Sequence, residues 1–588
     1  MIVWLRRSIA SLITSLLDWF AALTGFYYSR KYAATVRRLG LRPVTHTDRS
    51  TAGLVIVEID GLSNDALLDA MQQHRAANLR RLISRHGYIV SPWRSGLPST
   101  TPAAQAGIMY GNNDNIPAFR WYDKRLGRPV AVKYPPTVAA LQQQVAQGNS
   151  GLLAGGTSYV NMFDGGAESA LFTLSSLQPR RFFARVRGAG LIALFALNPL
   201  RSLRVMFLSL QEYVTDVVQR YEARRHRHPH WSALGIAPLL RVVSNVLIRE
   251  IETFAVLVDI YRGVPVIYAC YTGHDQTAHH FGVDSRAALQ AVQAIDRCIG
   301  QIERICRAKL TRNYTLVVLS DHGLTPSEPF AKLYEQTLSQ LISSKLDPGL
   351  LVSEPEDEFE EDPLHAARLL LDEWRAIEAN LGSVATAVAR RMRILVLRSV
   401  RERRHNLQWD ATKQNDVVVQ SSGSLAHVYF NLASHRMELG EIAAAFPSLA
   451  MELLSHPGIW LVVAREGHDT LIMARGGMLT VGREGSRRLD GTHPLQRLPD
   501  PEHAIGELQR LADFDQSGDL ILVGDYDPQS NRVVCFEQQW ASHGGLGGAQ
   551  DRPFIMYPRR LRWDLAQVSN ACDIYPLLAD IRAAQRPR

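Results

Sequence analysis

Three short apolar runs closed by turn residues set the pattern of the chain: "GLVIVEIDG" (53–61), "VPVIYACYTG" (264–273) and "NYTLVVLSDHG" (313–323). Runs this short, with no polar alternation, predict strands buried on both faces, as in a parallel sheet. Between the last two lies "SRAALQAVQAIDRCIGQIERICRAKL", which sets Leu289, Val292, Ile295, Ile299, Ile302 and Ile305 on one helical face. The three pieces form a βαβ unit. The expected fold class is therefore α/β, a central and mostly parallel sheet flanked by helices. Further on, "QSSGSLAHVYFNL" (420–432) and "HPGIWLVVAREG" (456–467) read as strands of an inserted or capping region, and "LILVGDYDP" (520–528) as a return to the main sheet.

Two regions depart from this alternation. Residues 1–32, "MIVWLRRSIASLITSLLDWFAALTGFYYSRKY", place Leu5, Ile9, Leu12, Leu16, Phe20 and Leu23 at helical spacing, with Trp4, Trp19, Tyr27 and Tyr28 suited to a membrane interface. Asp18 and several hydroxyl residues weaken a clean span, so an in-plane or loosely spanning anchor is expected. Arginine and lysine are denser after the segment than before it, which favours a cytoplasmic C-terminal side if the helix spans. The second region, residues 179–213, carries Arg180, Arg181, Arg185, Arg187, Arg201 and Arg204 among apolar runs, with no Asp or Glu between Glu168 and Glu212. Its uninterrupted apolar piece, Leu191 to Leu197, is too short to span. We read an interfacial dip with arginines on lipid phosphates, against an arginine-decorated core helix pair. The localisation expected from both segments is a membrane, the bacterial inner membrane.

Composition narrows the picture further. With 588 residues, 46% hydrophobic and 21% charged, the chain has a globular balance and exceeds a single ordinary core. The net charge of +8 would suit nucleic acid, but the arginines gather near apolar segments and form no separate basic tail, so anionic lipid is the better partner. Five scattered cysteines, with no CxxC pair, exclude a disulfide framework and a thiolate metal site. The stretch "SEPEDEFEEDP" (353–363) reads as a solvated acidic loop and Arg390 to Arg404 as a basic surface face.

Each predicted strand ends on a candidate ligand. A buried acid or imidazole is costly to dehydrate unless something pairs with it, and a metal ion is one such partner. Asp60 ends the first run, where Asp-Gly equally suits a plain turn. After the second, "YTGHDQTAHHFG" sets Asp275 and His279 four residues apart, on one side of a helical turn, with His274 and His280 close by as alternatives. The third ends on Asp321 and His322. A late histidine, His543, sits in the glycine-rich "ASHGGLGGAQDRPF". Three carboxylates and three imidazoles are enough for two divalent cations, and oxygen and nitrogen ligands without cysteine suit Zn²⁺, with Mn²⁺ the alternative. His427, among apolar neighbours at strand spacing, reads as structural, and Asp525 and Asp527 as part of a turn.

The ordered set Asp60, "PSTTP", "DQTAHHFG", "SDHG" and "SHGG" resembles the alkaline phosphatase superfamily, most closely its type I phosphodiesterase and nucleotide pyrophosphatase branch. The resemblance covers residues 50–125, 260–330 and 515–580, and implies an alkaline phosphatase-like three-layer α/β/α fold. It also implies a Thr or Ser nucleophile held on one zinc, two residues before a proline that opens a helix. In "GLPSTTPAAQAGIMYG" that residue is Thr100, with Ser99 and Thr101 as rivals. By the same resemblance Asp275, His279 and His543 hold one zinc, and Asp60, Asp321 and His322, with Thr100, hold the other. The implied reaction is in-line attack by Thr100 on phosphorus and hydrolysis of the resulting phospho-threonine.

One position departs from the family, which usually has an Asn before an "xxYD" element to bind a phosphate oxygen. Here "NNDNIPAFRWYDK" puts Phe119 at that place, leaving Asn112, Asn113 or Asn115 as substitute donors and Trp121 and Tyr122 as lipid-packing or core residues. The expected activity is cleavage of a phosphodiester or pyrophosphate in a lipid, nucleotide or envelope polymer. A phosphomonoesterase or phosphoglycerol-type transferase and a non-catalytic membrane scaffold are the alternatives. The expected organisation is a membrane-seeking segment at 1–45, catalytic parts at 50–165, 251–335 and 513–588, a membrane-associated insertion at 166–250 and a cap at 336–512.

Overall fold

The structure is a computed structural model in which residues 52–177, 199–225, 242–307, 312–354 and 415–583 are described. The 1–45 segment, the 179–198 part of the arginine-rich region, most of the acidic loop and the basic 390–404 face lie outside the described residues.

Seven strands make the central sheet: β1 (Ala52–Ile59), β2 (Tyr88–Pro92), β3 (Thr157–Tyr159), β4 (Ser169–Leu171), β5 (Val266–Tyr271), β6 (Asn313–Leu319) and β7 (Phe554–Pro558). Their order is β2-β7-β6-β1-β5-β3-β4. The three strands read from the sequence are neighbours, with β1 between β5 and β6 and parallel to both. β3 and β4 continue the parallel set, while β7 runs antiparallel to β6 and to β2. The register sets Glu58 level with Cys270 on one side and Leu319 on the other, so β1, β5 and β6 end together. Their carboxyl ends form one edge, from which Asp60 and Asp321 emerge.

Helices flank this sheet: α1 (Thr101–Tyr110), α2 (Pro199–Arg225), α3 (Arg249–Arg262), α4 (Gly273–Phe281) and α5 (Arg286–Arg307) are those that matter below. On α5, Val292, Ile295, Ile299 and Ile302 are buried in the main core as their spacing predicts, with Leu289 and Ile305 packed at its margin. No helix among the described residues is long and apolar enough to cross a membrane. The described part of the arginine-rich region, from Pro199, is the start of the 27-residue helix α2. Two of its arginines are not placed for lipid phosphates. Arg204 pairs with the buried Glu250 at 3.3 Å, and Arg201 donates to Gln301 Oε1 at 3.0 Å with its guanidinium 5.2 Å from the Phe254 ring.

A second, eight-stranded sheet runs in the order 352–353, 417–422, 425–430, 520–524, 459–466, 469–474, 477–481 and 487–491. Here the sequence expectation is corrected: Leu520–Gly524 does not return to the main sheet but lies between Leu425–Phe430 and Ile459–Glu466. Leu520 and Leu522 enter one core and Ile521 and Val523 another, so the strand is buried on both faces. Such a strand reads in sequence like a central parallel one, and periodicity does not tell which sheet receives it. A small sheet joins the two bodies: Ala541–Ser542 pairs antiparallel with Thr325–Pro329, Ser542 opposite Thr325. That pairing brings the chain before His543 against the chain that follows Asp321 and His322.

Candidate active site

The site lies beyond the carboxyl ends of β1, β5 and β6, where ligands of open α/β sheets bind. Asp60, Asp321 and His322 converge, and Asp275, His322 and His543 form a second group that shares His322; within each group the ligand atoms lie within 4.8 Å of one another. His322 Nε2 is 3.6 Å from Asp60 Oδ1 and 3.3 Å from Asp321 Oδ2. One turn of α4 carries Asp275 and His279 together, Oδ2 to Nε2 being 3.2 Å. His279 reaches the second group through Asp275, its ring centroid 5.1 Å from that of His543.

Local structure explains the convergence. Gly61, at φ 69°, turns the chain after Asp60; a Cβ there would stand 2.5 Å from Asp275 Oδ1. The Asp-Gly pair is thus a turn and a ligand position at once. The Gly61 N–H donates to Asp321 Oδ1 at 3.2 Å, and Ser320 Oγ donates to the His322 carbonyl at 2.6 Å. Ser99 Oγ accepts the Gly544 N–H at 3.0 Å, pinning the threonine loop to the His543 loop.

Each imidazole is oriented by a backbone carbonyl. His279 Nδ1 meets Ala541 O at 2.7 Å, His322 Nδ1 meets Gly323 O at 3.1 Å and His543 Nδ1 meets Ser99 O at 2.9 Å. A carbonyl only accepts, so Nδ1 carries the proton and, in the neutral ring, Nε2 keeps a lone pair. Burial lowers the pKa of His322, and burial together with the nearby His322 holds His543 well below the usual imidazole value, so both favour the neutral form.

These residues fit divalent cations. Neutral His322 turns a lone pair toward the carboxylates of Asp60 and Asp321, an arrangement of acceptors that a cation between them resolves. Asp275 Oδ1 and Asp321 Oδ2 are buried without hydrogen-bond partners, as open ligand positions would be. Burial pushes the Asp321 carboxyl up to about 7, with the charge of Asp275 adding and the Gly61 N–H opposing. Asp275 behaves oppositely: burial would raise it, but the adjoining imidazoles, His279 foremost, hold it below the usual carboxylate range.

The threonine loop is resolved residue by residue. Thr100 is the N-cap residue of α1, fully buried, and its Oγ1 has no hydrogen-bond partner. Thr101, the first helical residue, sets its Oγ1 3.4 Å from Asp60 Oδ1 and 3.2 Å from His322 Nε2. Thr101 is thus the threonine whose hydroxyl is hydrogen-bonded to Asp60 and His322, while the Thr100 hydroxyl, like Asp275 Oδ1 and Asp321 Oδ2, is buried without a hydrogen-bond partner. Adjacent threonines are indistinguishable by type, and only the backbone turn decides which side chain faces the ligands. His274 is occupied in bonding the Asp60 carbonyl at 3.2 Å.

Glu58 had no signal in the sequence beyond a lone acid within an apolar strand. Fully buried, it accepts from Gln105 Nε2 at 2.7 Å, from Cys270 Sγ at 3.0 Å and from the Tyr268 hydroxyl. Burial, with the charge of Asp321, pushes its carboxyl up to about 7. The asparagines weighed against Phe119 hold structural bonds instead: Asn112 to Val145 O, Asn113 to Asn570 and Arg510, and Asn115 to the Asp515 N–H. Trp121 and Tyr122 are buried, Trp121 in the main core and Tyr122 beside Tyr429. Asp527 accepts from Gln529 N and Ser530 N, as a turn residue does.

A carboxylate and imidazole cluster with a helix-borne hydroxyl, at the carboxyl edge of a parallel sheet, is an arrangement suited to metal-assisted hydrolysis of phosphoric esters. The chain belongs to the type I phosphodiesterase/nucleotide pyrophosphatase family, whose profile matches residues 54–405. No curated protein matches it in sequence. Among solved structures, phosphonoacetate hydrolase from Sinorhizobium meliloti with bound phosphonoformate is 15% identical, covering 92% of this chain and 97% of that chain, with a TM-score of 0.43. Murine ectonucleotide pyrophosphatase/phosphodiesterase 5, in an inactive form with AMP, is 12% identical, covering 90% and 95%, with a TM-score of 0.41. A mutant of the alkaline phosphatase PafA is 12% identical, covering 91% and 96%, with a TM-score of 0.44.

Proposed function

We propose that the protein is a membrane-associated phosphodiesterase that cleaves a phosphodiester or pyrophosphate bond through a phospho-threonine intermediate formed on Thr101. The observation that carries this reading is the Thr101 hydroxyl, 3.4 Å from Asp60 and 3.2 Å from His322 at the start of α1. Asp60, Asp321 and His322 would hold one cation and Asp275, His279 and His543 a second, Zn²⁺ or Mn²⁺. When bound, the ions supply charge stabilisation for the reacting phosphoryl group and lower the pKa of a nearby hydroxyl. Thr101 Oγ1 attacks phosphorus in line; the new O–P bond forms as the bond to the leaving oxygen breaks. Unpaired N–H groups in the first turn of α1 favour the negative charge that builds at this place. Water then cleaves the phospho-threonine and restores the hydroxyl.

Membrane attachment is supported by the amphipathic 1–45 segment and by the acid-free, arginine-rich stretch before α2. The substrate, a lipid, nucleotide or envelope diester, is then met at or near the bilayer.

The test is hydrolysis of bis-p-nitrophenyl phosphate beside p-nitrophenyl phosphate by detergent-purified protein with Zn²⁺ or Mn²⁺. Diester cleavage in excess of monoester cleavage, lost in Thr101→Ala, is expected. A monoester preference would replace the reading with a phosphomonoesterase, for which the missing asparagine at Phe119 would be the first place to look.

A further inference from the structure

Six of the fourteen large hydrophobic side chains exposed among the described residues lie on one helix: Leu203, Met206, Leu210, Tyr213, Val214 and Val218 of α2. They are 45 to 63% exposed. At 3.6 residues per turn they fall in one sector about 140° wide and about 22 Å long. The opposite face is firmly seated: Val205 and Asp216 are buried, and Arg201 and Arg204 hold Gln301, the Phe254 ring and Glu250. The stripe therefore belongs to a docked helix with one face left over.

The outer face is also uncharged. From Arg201 to Val218 the exposed residues are these six and Gln211, while the acids in the span, Glu212 and Asp216, are not exposed. A helix facing water ordinarily carries charge on that side. The chain leading into α2 holds Arg180, Arg181, Arg185 and Arg187, with no acid from residue 169 to 211. An apolar stripe preceded in the sequence by unbalanced positive charge is complementary to an anionic bilayer surface.

We infer that the outer face of α2, from Leu203 to Val218, is the surface by which the protein lies on an anionic phospholipid bilayer. This rests on the membrane reading above and assigns its contact. The helix lies in the interface plane, its six apolar side chains among the acyl chains and its buried arginines serving the protein.

The full chain, reconstituted in vesicles of phosphatidylcholine with phosphatidylglycerol, tests it with spin labels at Met206→Cys and Leu210→Cys. Met451→Cys, 69% exposed in the second-sheet region, is the reference. At the two α2 positions the collision ratio of oxygen to an aqueous nickel chelate should stand severalfold above that at position 451, with hydrolysis of a soluble diester unchanged. Ratios equal to the reference would overturn the inference, as would labels shielded from both reagents or broadened by a second copy. A parallel flotation of unlabelled protein separates the two claims: failure of the wild type to float with the vesicles would sink the membrane reading itself. Met206→Gln/Leu210→Gln gives a further check, with flotation on anionic vesicles falling relative to wild type while hydrolysis is retained; unchanged flotation would count against the stripe.

Discussion

His322 and His543 stack face to face, ring centroids 4.0 Å apart and planes inclined by 23°. Their Nδ1 atoms bond different carbonyls, so the stack is set by the backbone and not by the rings alone. Two imidazoles so close disfavour double protonation, and burial acts in the same direction. The neutral pair is the form that binds a metal.

Metal content should follow this geometry. His322 belongs to both ligand groups, whereas His279 reaches the second through Asp275. His322→Ala should therefore lose more bound metal than His279→Ala, measured by elemental analysis of protein purified in Zn²⁺. Chelator dialysis should abolish diester hydrolysis, and added Zn²⁺ or Mn²⁺ should restore it. Wild-type stoichiometry in both variants would remove these histidines from the ligand set.

The adjacent threonines separate by function. Removing a nucleophile costs on the order of a thousandfold or more in turnover. Thr101→Ala should show that loss with its fold intact, and Thr101→Ser should keep part of the activity. Thr100→Ala, which removes a buried hydroxyl without a hydrogen-bond partner, should stay within about tenfold of wild type, about 1.4 kcal/mol in barrier. Acid-quenched protein should carry phosphate on Thr101; phosphate on Thr100 instead would reverse the assignment.

Much of the site's framework was legible because it depends on strand ends. Buried parallel strands announce themselves as apolar runs, and the polar residues that stop β1 and β6 are where the sheet opens to ligand. The i, i+4 pair on α4 needed only helix geometry. What could not be read depends on the path of the chain between elements. That the Thr101 hydroxyl bonds Asp60 and His322 turns on the N-cap conformation of α1. The place of Leu520–Gly524 turns on which sheet has a gap. The burial of Arg201 and Arg204 turns on the packing of α2 against α3 and α5, which charge patterning alone does not reveal.

Gly61 offers a test of how tightly the two ligand groups are coupled. Alanine there meets positive φ, costing about 1 to 2 kcal/mol, and its Cβ would be driven against Asp275 Oδ1. Gly61→Ala should lower the melting temperature and weaken metal binding together, read by thermal unfolding with and without Zn²⁺. A variant with wild-type metal affinity would show that Asp275 shifts freely, contrary to the close approach seen here.

The last prediction concerns His427, in strand Leu425–Phe430, whose Nε2 donates to Pro117 O at 3.1 Å while its Nδ1 accepts the Gly518 N–H at 3.0 Å. Both nitrogens are used by one neutral tautomer, in agreement with a structural role. Burial pushes its pKa down to about 3, the Pro117 carbonyl opposing and Arg436 adding to the shift. The unfolded chain binds this proton from about pH 6.5 downward. Between the two values it holds more protons than the folded chain, so the stability linked to His427 is fully present above about pH 6.5 and lost as pH falls toward 3. Glutamine can offer a donor and an acceptor but does not titrate. His427→Gln should therefore be less stable than wild type at pH 7, and that gap should narrow by about 2 kcal/mol at pH 5. Urea unfolding of both proteins at the two pH values measures it, and a gap independent of pH would mean that the folded protein accommodates the imidazolium.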